Sequence, residues 1–185
     1  DTFAVLGEDV AVVSALQLLR DGFTQLGATP VTPERKQGLE AFYRNTIIPK
    51  LASASSGIPV LEDLMPASEK AIALQSLYLA QNPNQDDLSK LVAHKENNAY
   101  TLAHSIYHEW FREVSKRFGF YDLILIDGES GDIVYTVFKE IDLGGNLLTG
   151  SLSRSNLGLL YRDARPQKQR GLVKMTDFAF YRPSG

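Results

Sequence analysis

The sequence predicts an α+β protein, a helical N-terminal part with long helices followed by a short antiparallel sheet, and three observations carry that prediction. Before Gly119, apolar residues recur at three- and four-residue intervals over long stretches, the spacing that keeps one face of a helix on a core. After Gly119, two apolar runs, Tyr121–Ile126 and Ile133–Phe138, flank the turn-forming string Asp127-Gly128-Glu129-Ser130-Gly131-Asp132, which reads as a β-hairpin. A short helix and a last apolar stretch follow, so the order is helices, then strand, strand, helix, strand.

Phe3–Leu26 reads as a long helix ending at Gly27, with Val5, Val12, Leu16, Leu19, Phe23 and Leu26 forming a heptad-like seam. That seam suits either the same helix of a second chain or this chain's own helices. Thr32-Pro33-Glu34 is a helix start: a capping hydroxyl, a proline where the missing N–H costs nothing, and an acid at the positive end. This helix should run toward Ile48, with Pro49 breaking or kinking it and Ala52–Pro59 forming a loop. A third helix follows Pro66, carrying Ile72, Leu74, Leu77, Tyr78 and Leu79, and stops near Gln81-Asn82-Pro83.

Lys95–Phe118 gives the clearest helical pattern, with Ala99, Leu102, Ala103, Ile106, Tyr107, Trp110, Phe111, Val114 and Phe118 as one apolar stripe facing a core. Gly119 supplies the left-handed stop. Beyond the hairpin, Asn156–Ala164 reads as a short helix ended by Pro166, and Leu172–Tyr181 as a further strand. The expected division is therefore a helical part, 1–118, and a sheet part, 119–185.

Composition narrows the function classes. A hydrophobic share of 44% with 22% charged residues is that of a globular protein. The net charge of −3 and the lack of a basic block argue against nucleic acid as a partner. The cluster Arg162, Arg165, Lys168 and Arg170 reads as solvated surface. Absence of cysteine removes disulfides, thiolate catalysis and thiolate metal sites together. No run reaches the roughly 20 apolar residues of a membrane span. A chain opening Asp1-Thr2-Phe3 reads as a fragment whose membrane segments lie outside it.

The stretch Gly119–Asn146 also resembles a family. An Asp-ended strand, a Gly-containing turn, the strand Ile133-Val134-Tyr135-Thr136-Val137-Phe138-Lys139-Glu140 and then Asp142-Leu143-Gly144 resemble the first sheet strands of Cache-type, PAS-like sensor domains. These are extracytoplasmic ligand-binding modules of bacterial chemoreceptors, sensor histidine kinases and membrane cyclases. The resemblance covers about Asn97 to Gly185, including Tyr100, His104, Tyr107 and His108 before the sheet and Met175–Gly185 after it. It implies a Cache/PAS-like antiparallel sheet whose last strands lie beyond Gly185. It also implies a periplasmic location on an inner-membrane protein, a homodimer in the intact receptor, and a small ligand on the sheet, with no catalysis in this chain.

Candidate chemistry is sparse. His104 and His108 stand four residues apart, the spacing of a metal-gripping pair. Ser105 occupies the position where a zinc protease needs Glu, so the pair reads as two half-exposed structural histidines, with a metal site as the lesser alternative. No Gly-x-Ser-x-Gly elbow or phosphate loop is present, and no cofactor is expected. Strand alternation puts Ile133, Tyr135, Val137 and Lys139 on one face, so Lys139 beside Tyr135 is a candidate for holding a small carboxylate. Equally, Lys139 ends the strand and reaches water. By the resemblance, Tyr121, Asp177 and Tyr181 join the same pocket, with Asp177 as an acceptor for an amine. The expected function is sensing of a small carboxylate or amino acid. The alternatives are a structural or protein-binding module without a small ligand, and a metal-binding protein using His104 and His108.

Overall fold

The computed structural model describes residues 7, 9–54, 59–167, 169, 171–177 and 179–184, the side chains of Ala54 and Ser184 excepted. It is mixed α+β, mostly helical with one small antiparallel sheet. Helix α1 spans Val10–Leu26, and Asp9 sets its start: its backbone is extended and its carboxylate accepts from the Ala11 N–H. Gly7 is also helical but Asp9 is not, so the helix expected over Phe3–Leu26 is interrupted before Val10, and Val5 of the proposed seam lies outside the described residues. Leu19 and Phe23 are buried and Val12, Leu16 and Leu26 pack against the same core. The seam therefore serves the chain's own interior.

Helix α2 (Pro33–Phe42) begins as its sequence dictates, with Thr32 accepting from the Arg35 N–H and Pro33 in the first turn. Pro49 does not end it. The chain widens into a π-turn over Tyr43–Ile47 and continues as α3 (Ile48–Ala54). A π-turn shifts the hydrogen-bond register by one residue, which is how a helix accommodates a disturbed backbone donor. A single turn, α4 (Leu61–Leu64), leads to α5 (Glu69–Gln75), capped by Ser68 and prolonged by a second π-turn, Ser76–Ala80.

Helix α6 (Ala99–Phe118) has Asn98 as its N-cap, accepting from the Thr101 N–H, and Gly119 as its left-handed C-cap at φ 68°. It lies along α1 so closely that a β-carbon on Gly22 would stand 2.6 Å from the Tyr100 Cα. Its orientation rotates the expected stripe, keeping Ala103 and Phe111 in the core with Tyr107 packed against it. Tyr100, Thr101, Ala103, His104, His108, Phe111 and Ser115 are buried, whereas Leu102, Ile106, Trp110 and Phe118 are exposed.

The hairpin is present but shorter than its apolar runs. Strand β1 (Ile124–Ile126) pairs antiparallel with β2 (Ile133–Thr136), Leu125 opposite Tyr135, with an irregularity between Leu125 and Ile126. All of β2 is buried. The chain then doubles back, so that Asp132 bridges Asn146 and the Ile133 N–H donates to Gly145. Helix α7 (Asn156–Ala164) forms where expected, capped by Ser155. Among its described residues Leu172–Tyr181 pairs with no strand, so the further strand expected there is absent from the described sheet. One core cluster joins α1, α5 and α6 to Val134, Tyr135, Val137 and Leu143, so the helical and sheet parts share an interior.

Candidate functional site

The end of β2 decides where the charged residues of the hairpin go. Asp122 Oδ1 accepts from the N–H groups of Leu123, Val137 and Phe138 at 2.7, 2.9 and 3.2 Å. The Lys139 N–H is taken by Thr136 Oγ1 at 2.9 Å. The Val137 N–H is shared between Asp122 and the Leu123 carbonyl, and the next two donors, at 138 and 139, are captured by side chains, which ends the ladder and turns the chain inward. Lys139 occupies the left-handed region at φ 58°, a conformation that side-chain-bearing residues adopt only where the surroundings impose it.

Lys139 is consequently buried, 1% exposed, and its Nζ lies 3.2 and 3.5 Å from the two ring nitrogens of His108. Both nitrogens are already engaged. Nε2 faces the Ser89 carbonyl at 2.7 Å and so carries the proton, and Nδ1 accepts from the Tyr135 hydroxyl at 2.6 Å. Burial, helped by Lys139, pushes His108 down to about 3. Burial likewise pulls the Lys139 ammonium down to about 7, with Asp122 opposing the shift.

His104 stacks on His108 at a centroid distance of 4.3 Å and points Nδ1 at the Val92 carbonyl. The two histidines expected to be half-exposed are 1% and 0% exposed. They belong to an aromatic stack with Tyr78, Tyr100 and Tyr135, and only His104 Nε2 lacks a hydrogen-bond partner. A metal needs lone pairs converging on one point. Among the described residues no group of three His, Asp or Glu side chains is arranged to hold an ion.

A cavity of about 620 Å³ opens on the other side of Asp122. Helix α6 contributes Trp110, Phe111 and Val114, the lead-in to β1 contributes Phe120 to Leu123, and Val12, Leu157 and Tyr181 close other sides. Its walls are apolar and aromatic, and its charged lining residues are Asp122, Glu140 and Asp142. The segment bearing Asp142 is pinned from behind: Gln75 donates to the carbonyls of Ile141 and Leu143 at 3.0 and 2.9 Å while accepting from the Tyr43 hydroxyl. Asp142 is 1% exposed. Its Oδ2 accepts from the Tyr181 hydroxyl at 2.7 Å, and its Oδ1 has no hydrogen-bond partner.

Burial raises Asp142 to about 7, against the pull of Tyr181 and with Asp122 and Glu140 adding to the rise. Burial also raises Asp122 to about 6, opposed by its three backbone hydrogen bonds. The buried Asp142 and the half-buried Asp122 thus line the same apolar hollow, and their mutual repulsion adds to the rise of Asp142.

Of the residues nominated from sequence, Tyr121 and Tyr181 border the cavity. Tyr121 donates to Glu140 at 2.9 Å. Tyr135 and Lys139 lie together as expected, but in the closed histidine cluster rather than on the cavity. Asp177 is exposed, and its carbonyl accepts from Asn156. Sequence reading missed Asp122, Asp142 and Trp110 as site residues. The legible signal was topological: closing a hairpin brings its two outer ends together, and this one carries Asp122 at one end and Glu140 and Asp142 at the other. Comparison with known proteins adds no relative, since no family model, curated protein or solved structure matches the chain.

Proposed function

We propose that this chain is the extracytoplasmic ligand-sensing domain of a bacterial transmembrane signalling receptor, of the Cache/PAS-like kind its hairpin resembles. It binds a small molecule and performs no chemistry itself. The observation that carries the reading is the cavity of about 620 Å³, a volume usual for small-molecule sites, bordered by both helices of the α1–α6 pair and by the hairpin's edge. A ligand there touches the sheet and the long helices at once. Its differential affinity for two arrangements of that pair then biases them, which is what signalling through a domain requires. The intact receptor, in this reading, is a homodimer at the inner membrane with its output domain outside this chain.

A melting screen against organic acids, amino acids and amines tests the reading against a purely structural or protein-binding role. A ligand at 100 times its dissociation constant adds about 2.7 kcal/mol. For a domain of this size that raises Tm by roughly 5–10 °C. Silence across the whole panel favours the protein-binding alternative.

A further inference from the structure

We propose that the cavity is built for a small organic cation, an ammonium group on an apolar or aromatic body, with Asp142 as the anchoring anion. This rests on the ligand-binding reading of the same cavity and gives that ligand a chemistry.

The first ground is Asp142 Oδ1, a buried carboxylate oxygen without a partner on a side chain that lines the hollow. Buried polar atoms are nearly always satisfied, and an orphaned oxygen in an apolar wall marks a place where another donor belongs. The second is charge. Among the described lining residues there are three acids and no Lys, Arg or His. Lys139, whose ammonium Asp122 favours, is engaged with His108 and the Val137 carbonyl and is not among the lining residues. A carboxylate ligand would meet like charge here, whereas an ammonium stabilises Asp142 and Asp122 in their ionised forms together. The third is the wall itself. Trp110, Phe120, Tyr121 and Tyr181 surround the acids with aromatic rings, whose faces attract an ammonium and whose area accepts its apolar body.

The groups that act on Asp142 are Tyr181, Asp122 and Glu140, and Asp142 in turn acts on Tyr43. With Asp142 near 7 and Asp122 near 6, the anchoring charge is present at pH 8 and gone at pH 5.

The test uses three probes of one shape and different charge: 2-phenylethylammonium, 2-phenylethanol and 3-phenylpropionate, titrated calorimetrically into the whole chain. The ammonium should bind in preference to the other two at pH 8 and weaken at least tenfold at pH 5. Asp142→Asn, a neutral isostere, should weaken it at least tenfold at pH 8. Asp86→Asn, which removes an exposed carboxylate paired with Lys90 outside the cavity, should bind it as the parent does, so that loss in Asp142→Asn cannot be laid to the change in net charge. Binding of the alcohol or the carboxylate at least as tight as that of the ammonium overturns the cation assignment and leaves the ligand reading standing. Equal ammonium affinity in Asp142→Asn also overturns it. No saturable binding by any of the three overturns it as well, and only if the wider melting screen is silent too does the ligand reading fall with it.

Discussion

Lys139 and Asp142 are buried charges three positions apart, and among the described residues no ion pair joins them. Each makes stability depend on pH, in opposite senses. Lys139 titrates near 7 folded against a normal 10.5, so between those values the unfolded chain holds more protons and stability rises with pH. The desolvation cost is therefore full below pH 7 and fades through pH 7–10.5. Lys139→Met should raise stability at pH 6 by about 1–3 kcal/mol, with the gain shrinking toward pH 10. Asp142 titrates near 7 folded against a normal 3.8, so in that interval the folded chain holds more protons and stability falls as pH rises. Asp142→Asn should melt higher than the parent at pH 8, and the two should converge at pH 4. Calorimetric scans at these pH values check both, and a gain that is flat with pH would contradict the assignment. The sequence showed Lys139 as one end of an apolar row. That it turns inward depends on Asp122 and Thr136 taking the donors that would have extended the strand, a long-range effect that alternation does not encode.

At the scale of elements, most boundaries were legible because they are local chemistry. Thr32-Pro33 and Gly119 act where they stand, whereas the caps Asn98 and Ser155 emerge only in the structure. What was not legible is what covers each face. Helix α6 carries apolar residues around much of its circumference, and hydrophobic periodicity centred the core on Leu102, Ile106 and Trp110. The partner helix decided otherwise: Gly22 lets α1 meet α6 at Tyr100, which turns His104 and His108 inward. Helical angle reads the two histidines as half-exposed, because periodicity does not show the Ser89, Val92 and Tyr135 groups that satisfy them in the interior. Gly22→Ala should therefore cost about 2 kcal/mol in urea unfolding, since its new methyl meets backbone rather than a movable side chain. Gln75→Leu should cost about 3 kcal/mol, because it strands two carbonyls and the Tyr43 hydroxyl at once. A loss under 0.5 kcal/mol in either variant would show that the α1–α6 contact, or the clamp on residues 141–143, is not what holds the site.

For the molecule as a whole, the α+β class and the order of helices before hairpin follow from pattern, while the cavity arises only when distant segments meet. Val12, Trp110, Tyr121, Asp142, Leu157 and Tyr181 come from across the chain, and no motif announces their convergence. Trp110 is the sole tryptophan and stands in the wall of that cavity, so its emission is a direct report of occupancy. The most direct test of a ligand-sensing domain is to titrate Trp110 fluorescence with the panel of amines, amino acids and organic acids, in the parent and in Val114→Phe, which narrows the hollow beside Trp110. A ligand-binding cavity gives a saturable change with at least one compound in the parent and a weaker affinity for it in the narrowed variant. An unresponsive Trp110 across the panel, or the same affinity with the cavity narrowed, would contradict it.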